Sequence, residues 1–396
     1  VTTMSAHYHR ARAAALACLF AMPAAAQTEP RISRGEIAAV EGAQRVLVAD
    51  DLRQPWAIAW LPDGRAVITQ KGGTLRLMED GAVSSAAIDF PVDVTSGGEG
   101  GGQGGLLDVA VHPDFADNKL LYFSYSVGGP DANRTAIGRA KFDGETLRDF
   151  ERIYQNPNTK QGGQHFGSRL LFLPDGTLLA SIGDGGNPPI SFQGMHIRHQ
   201  AQNLGTVFGS VIRLNDDGTV PKDNPFVGDA GVRPEIWTYG HRNIQGLSRD
   251  PETGAVWATE HGAAAGDELN QLAAGKNYGW PDATFSRNYR DGSLISERIG
   301  GQGFTDPAVV WLDTHSPSGL WVYRGVEFEE WQGYALSGGL VSHDLRLIDM
   351  SGDGAPTEKQ LDIGARVRDV RVGPEGGLFV LTDGDKAKLL RIEPVD

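Results

Sequence analysis

Two stretches decide the fold: Ala57-Ile58-Ala59-Trp60-Leu61-Pro62-Asp63-Gly64 and Leu170-Leu171-Phe172-Leu173-Pro174-Asp175-Gly176. Each is a short apolar run that ends in Pro-Asp-Gly and leads into a second apolar run, Ala66-Val67-Ile68-Thr69 and Thr177-Leu178-Leu179-Ala180-Ser181 respectively. Pro presets φ for a turn and the Gly accepts positive φ, so the unit reads strand–turn–strand. Looser copies are Val109-Ala110-Val111-His112-Pro113-Asp114-Phe115, Leu247-Ser248-Arg249-Asp250-Pro251-Glu252-Thr253-Gly254 and Val370-Arg371-Val372-Gly373-Pro374-Glu375-Gly376-Gly377. A degenerate sixth runs from Gly319-Leu320-Trp321-Val322-Tyr323 to Ala335-Leu336. Spaced roughly 45 to 80 residues apart, the copies fit four-stranded antiparallel blades carrying loop insertions. The expected fold is all-β, a six-bladed β-propeller. The rival arrangement, two unrelated β-sandwiches, lacks a linker-like stretch to divide them.

Composition agrees. Glycine is abundant (53 residues) and the apolar runs are short and bounded by turn residues, so helix is a minor component. Arg10 and Arg12, the apolar run Ala13–Met22 and Ala24-Ala25-Ala26 together read as an export signal over residues 1–26. That run is too short to span a bilayer, which takes about 20 residues. Residues 27–396 are then a single propeller domain, periplasmic or secreted, without membrane insertion. Cys18, the only cysteine, leaves with the signal, so the fold rests on its core without disulfides. The formal charge is −14 and becomes more negative without the two arginines. Such a surface excludes nucleic acid as a partner, and an anionic ligand needs a local cluster of Arg or Lys.

Four irregular insertions, at Ser96–Gly105, Asn156–Gly167, Gly185–Asn203 and Asn277–Asp306, are expected to gather at one mouth of the central channel. Glu99-Gly100-Gly101-Gly102-Gln103-Gly104-Gly105 offers close backbone approach to a flat ligand, with Gln103 as an amide donor and acceptor. It has neither a Walker lysine nor a strand–GxGxxG–helix context, so nucleotide binding is rejected. His165, in Gln164-His165-Phe166-Gly167, precedes one repeat unit, and Asp184, in Gly183-Asp184-Gly185, follows its second strand. Meeting at a channel mouth, they would make an oriented general base. The loop Glu260-His261-Gly262-Ala263-Ala264-Ala265-Gly266-Asp267-Glu268 combines exposable carbonyls with carboxylates and suits a hard ion such as Ca²⁺. With no HExxH and no cysteine pair, the usual zinc sites are unsupported. Arg366 and Arg368 share one face of a strand at period two. With Arg242 they would clamp a compact polycarboxylate, or else pair with neighbouring acids.

Taken in order, these segments resemble the soluble PQQ-dependent aldose sugar dehydrogenases, the glucose/sorbosone dehydrogenase family. The resemblance spans nearly the whole of residues 27–396. It rests on Gly102-Gln103-Gly104-Gly105-Leu106-Leu107 with His112-Pro113-Asp114-Phe115, on His165 ahead of Gly183-Asp184, and on Tyr239-Gly240-His241-Arg242-Asn243-Ile244-Gln245-Gly246. Glu260-His261-Gly262 with Gly266-Asp267-Glu268, Asn277-Tyr278-Gly279-Trp280-Pro281 and Arg366-Val367-Arg368-Asp369-Val370 complete it. The resemblance implies oxidation of an aldose at C1 to the lactone, with hydride transfer to PQQ and an electron acceptor left unidentified. It implies His165 as general base, Asp184 as its orienting partner and Arg242 as a further catalytic residue. Gln103, Arg242, Asn243 and Tyr289 are implied as cofactor contacts, as are the segments Val341-Ser342-His343 and Arg366-Val367-Arg368. The carbonyls of Gly262 and Ala263 are implied as ligands of a Ca²⁺ beside PQQ, and Glu268 and Tyr278 match a second, structural Ca²⁺ position. The chain departs from the family at Ala263, where Pro is usual, and at Val341-Ser342-His343, which aligns with a segment ending in a PQQ-contacting Lys. A lactonase-type hydrolase and a cofactor-free binding propeller are the other readings that this fold admits.

Overall fold

Every blade begins with the predicted hairpin. A computed structural model describes residues 31–33, 36–98, 101–301, 303–351 and 356–395, so the proposed export signal lies outside the described residues. The protein is a six-bladed β-propeller. The blades are Pro55–Trp60 with Ala66–Gln70, Thr74–Glu79 and Ala82–Asp89; Leu106–Val111 with Leu120–Gly129, Ala132–Phe142 and Leu147–Gln155; and Leu170–Phe172 with Leu178–Ile182, Ser210–Leu214 and Ile236–Tyr239. They continue with Ile244–Arg249, Val256–Glu260, Asp267–Leu272 and Val309–Trp311, then Pro317–Val322, Ala335–Gly339, Asp344–Asp349 and Thr357–Asp362. In the sixth blade Val367–Val372, Leu378–Thr382 and Ala387–Pro394 are completed by Ala43–Leu52 from the other end of the chain. That strand pairs antiparallel from Ala387↔Leu52 to Pro394↔Ala43 and closes the ring. Two short strands differ from the four-stranded expectation. Arg31–Ser33 and Ala38–Ala39 add in parallel to the outer edges of blades four and five and cover edges that would otherwise be open.

The strand pattern follows from the ring. Second strands such as Ala66–Gln70 and Leu378–Thr382 are buried throughout, because blades pack on both of their faces, and so they read as unbroken apolar runs. Outer strands such as Leu147–Gln155 are half-buried to exposed along their length. The channel is stitched by buried charge. Arg169 reaches Asp108 at 3.2 Å and Asp369 at 3.1 Å and lies 4.2 Å from the ring centre of Trp56, tying four inner strands together.

The repeat turns and the insertions lie at opposite ends of this channel. Each inner strand starts at one face and ends at its turn on the other, where Gly64, Gly176, Gly254 and Gly376 adopt the positive φ that the turn demands. The second strand then returns to the first face, the mouth. Three of the four insertions join strands there. The fourth, 277–306, springs from the turn side, because it links the third and fourth strands of blade four. A parallel bridge between Tyr239 and Asn277 carries it up beside blade three to the mouth. Among the described residues no helix is long and apolar enough to cross a membrane.

Candidate active site

Five of the six inner strands carry a register shift at the mouth, at Pro55/Ala57, Leu106/Val109, Ile244/Gly246, Pro317/Leu320 and Val367/Asp369. A bulge re-aims the side chains beside it. Trp56, Gln245 and Arg368, each inside one of these shifts, line a cavity of about 590 Å³ at the mouth.

His165 sits at the entrance to the third inner strand with φ of 50°. Its backbone N–H donates to Gln103 Oε1 at 2.8 Å, and the Gln103 N–H donates to the Gly163 carbonyl at 2.7 Å. The two glycine-rich loops therefore hold each other. A Cβ on Gly102 would collide with the Ser96 carbonyl, and one on Gly163 would lie 2.8 Å from the Gly98 nitrogen. Gly102 and Gly163 thus pack loop against loop, while Gly101, Gly102 and Gly104 also line the cavity, where a ligand can approach the backbone. The His165 ring pairs through Nδ1 with Asp184 Oδ1 at 2.6 Å. Asp184 is held in turn by the Trp280 indole N–H at 2.8 Å and the Gly186 amide at 3.0 Å. Burial and the Arg242 charge lower the His165 pKa against the pull of Asp184. With Nδ1–H donated to the carboxylate, Nε2 carries the free lone pair.

Arg242 is buried and positioned from behind. Its backbone N–H donates to Glu260 Oε1 at 2.7 Å, while Glu260 Oε2 takes His241 Nδ1 at 2.7 Å. Its guanidinium donates to the His261 carbonyl at 3.2 Å and to Asn187 Oδ1 at 2.9 Å, and lies 5.4 Å from the Trp280 ring. Tyr289, 62% exposed, brings its hydroxyl within 3.5 Å of that guanidinium. Asn243 accepts the Gly167 amide at 3.0 Å through Oδ1 and also lines the cavity.

The opposite wall is cationic. Arg366 and Arg368 both reach Asp383 Oδ2, at 3.0 and 3.3 Å, so the anion that joins the two guanidiniums is supplied by the protein itself. Arg368 donates further to Gln245 Oε1 at 2.8 Å. Burial of Asp383 is outweighed by the two arginines, and its pKa stays below the usual carboxylate value. Val367, between them, points into the core against Gly338. In the segment Val341-Ser342-His343 only Val341 lines the cavity. Ser342 is engaged with His315 Nδ1 at 2.8 Å and Asp344 at 2.5 Å, and His343 sits exposed with φ of 60°.

On the same mouth, the amides of Gly262 and Ala263 donate to Asp267 Oδ1 at 2.8 Å and Ser286 Oγ at 3.1 Å. Among the described residues neither carbonyl accepts a hydrogen bond. Glu268 faces Glu260 directly across the strand pair, and burial with that neighbouring charge raises its pKa well above the usual range. Asn270 donates to Glu268 at 3.1 Å, while its own Oδ1 is buried without a partner. The Tyr278 hydroxyl is consumed by the Gln271 carbonyl at 2.7 Å, and its ring stacks 4.7 Å from His241. Among the described residues no group of three or more His, Cys, Asp or Glu is placed to hold a metal.

Among the described residues, three buried polar atoms around the cavity find no partner: Nε of Arg242, Nε of Arg368 and Nε2 of His261. Burial and Arg242 push the His261 pKa far down, so its ring is neutral. The two unmet guanidinium donors, beside carbonyls with spare lone pairs, fit a planar polyanion together with a hard cation.

Residues 52–391 match the family described as Glucose / Sorbosone dehydrogenase. The chain belongs to this family. An uncharacterised protein of Synechocystis is 50% identical over 353 residues, covering 88% of this chain and 86% of that one. The aldose sugar dehydrogenase YliI of Escherichia coli is 38% identical over 356 residues, covering 88% and 92%. The apo crystal structure of the soluble Escherichia coli enzyme superposes with a TM-score of 0.82 over 89% of this chain and all of that one. The PQQ-bound aldose sugar dehydrogenase of Streptomyces coelicolor gives 0.70 at 27% identity, covering 90% and 99%.

Sequence reasoning missed Lys71, Gln245 and the role of Trp280. One signal for Lys71 was available in the family's repeat. The site draws on positions one or two residues beyond the second strand of a blade, as with Asp184, His261 and Asp383, and Lys71 is the counterpart in blade one.

Proposed function

We propose that this protein is a PQQ- and Ca²⁺-dependent aldose dehydrogenase that oxidises its sugar at C1 to the lactone, with His165 as general base. The observation that carries the reading is the buried His165–Asp184 pair, joined through the Gln103 side chain to a cavity walled by Arg366 and Arg368, though neither member of the pair lines that cavity. Asp184, fixed by Trp280 and Gly186, holds His165 in the tautomer whose Nε2 accepts the proton of the C1 hydroxyl, and its charge stabilises the imidazolium that forms. The lowered pKa of His165 keeps the ring neutral and ready near pH 7. When bound, PQQ supplies the two-electron acceptor for the C1 hydride and Ca²⁺ the Lewis acid that polarises it. Gln103, Arg242, Asn243, Tyr289, Arg366 and Arg368 would hold the cofactor, and the Gly262 and Ala263 carbonyls the ion. Family membership and the likeness to a PQQ-bound relative support the same reading. Residues 1–26 fit export to the periplasm or the medium.

Reconstitution tests the proposal. Apo-protein given PQQ and CaCl₂, but not NAD, should reduce an artificial dye on addition of aldoses. No dye reduction across a broad sugar panel, with no PQQ absorbance retained after desalting, would overturn it.

A further inference from the structure

The turn that aligns with the family's cofactor-contacting lysine holds no cation at the cavity. Val341 lines the wall with an apolar side chain, and His343 turns out to solvent. A lysine does line the same cavity from blade one, beyond the arginines of blade six. Lys71 follows the second strand of blade one, with its backbone N–H bonded to the Gln54 carbonyl at 3.0 Å and its carbonyl accepting the Leu106 amide at 3.0 Å. Its Nζ donates to the Gly102 carbonyl at 2.9 Å, on the glycine-rich wall next to Gln103. An ammonium has three donors. Among the described residues Nζ makes that one hydrogen bond and no ion pair.

We propose that Lys71 is a cofactor-anchoring residue: with Arg366 and Arg368 it completes a cationic wall and receives a carboxylate of the planar quinone, replacing the cation missing from Val341–His343. This inference rests on the PQQ reading above. Burial, with Arg368 nearby, holds the Lys71 pKa below that of a free amine against the pull of Asp383 and Asp385, and a carboxylate at Nζ would offset that cost.

The test measures binding, not turnover. Apo-protein is titrated with PQQ at fixed CaCl₂, and quenching of tryptophan fluorescence gives Kd. Lys71→Met should weaken PQQ by about tenfold or more, the scale of one charged hydrogen bond. Lys71→Arg should stay within about threefold, and Val341→Lys on the Lys71→Met background should regain most of the loss. An affinity of Lys71→Met equal to wild type overturns the assignment, while a wild-type protein that does not bind PQQ overturns the cofactor reading itself. Should Lys71→Met fail to fold, the unaltered protein decides. Acylation of Lys71 by an amine-reactive ester, followed by mass spectrometry, should slow about tenfold when PQQ and CaCl₂ are present. An unchanged rate overturns the proposal.

Discussion

On the side of blades three and four the mouth is built from groups with assigned partners. Buried His165 meets Asp184, Asp184 meets Trp280, and Arg242 meets the half-buried Asn187 and the His261 carbonyl. On the side of blades six and one, two guanidiniums share one carboxylate, Asp383, and among the described residues Lys71 bonds only a carbonyl. The two halves differ because their tasks differ. Moving a proton requires one fixed tautomer at one fixed place, so the partners of His165 and Asp184 are supplied in advance. Binding an anion requires positive charge left incompletely neutralised, which the fold tolerates only near solvent.

Substitutions that break the first half should cost turnover, and those in the second should move affinity. His165→Ala is expected to lower dye-coupled turnover about 10²–10⁴-fold while PQQ affinity, read by fluorescence, changes little. Retained turnover would remove His165 from the role. Asp184→Asn should lower turnover by about 10²-fold and also shift the pH profile. Asp184 is what raises the His165 pKa against burial and Arg242, so losing its charge moves the acid limb of kcat/KM to lower pH; a shift to higher pH would contradict the pairing. Trp280→Phe leaves Asp184 Oδ2 without its indole donor and should destabilise the protein by about 1–3 kcal/mol in urea unfolding. The smallest effect is expected in the other half. Asp383→Asn leaves Arg366 and Arg368 without their shared anion, so PQQ should bind several-fold tighter at low salt, with the gain fading as ionic strength rises. Equal loss of affinity at all salt concentrations would show that Asp383 positions the arginines more than it competes with the ligand.

Much of the site was legible in the chain. His165 and Asp184 were picked out by their places before and after the same hairpin, and they do meet. Arg366 and Arg368 were legible as a pair, but Asp383 was not, since nothing near it in sequence marks a partner. His343 was expected at the cofactor and lies outside the cavity, because the turn that carries it points its neighbour Val341 inward instead. Trp280 escaped because its loop leaves blade four on the turn side, and only the bridge to Tyr239 brings it to an aspartate 96 positions away.

What the sequence determined by itself is the blade. Turn chemistry and short apolar runs are local, acting over a few neighbouring residues, so four Pro–Gly punctuated hairpins and two looser copies could be read directly. What only the tertiary structure decided is which loops share the mouth, how bulges turn Trp56, Gln245 and Arg368 inward, and that Lys71 stands near Arg368. Those depend on closing the ring through Ala43–Leu52, a contact between the two ends of the chain that no local pattern encodes.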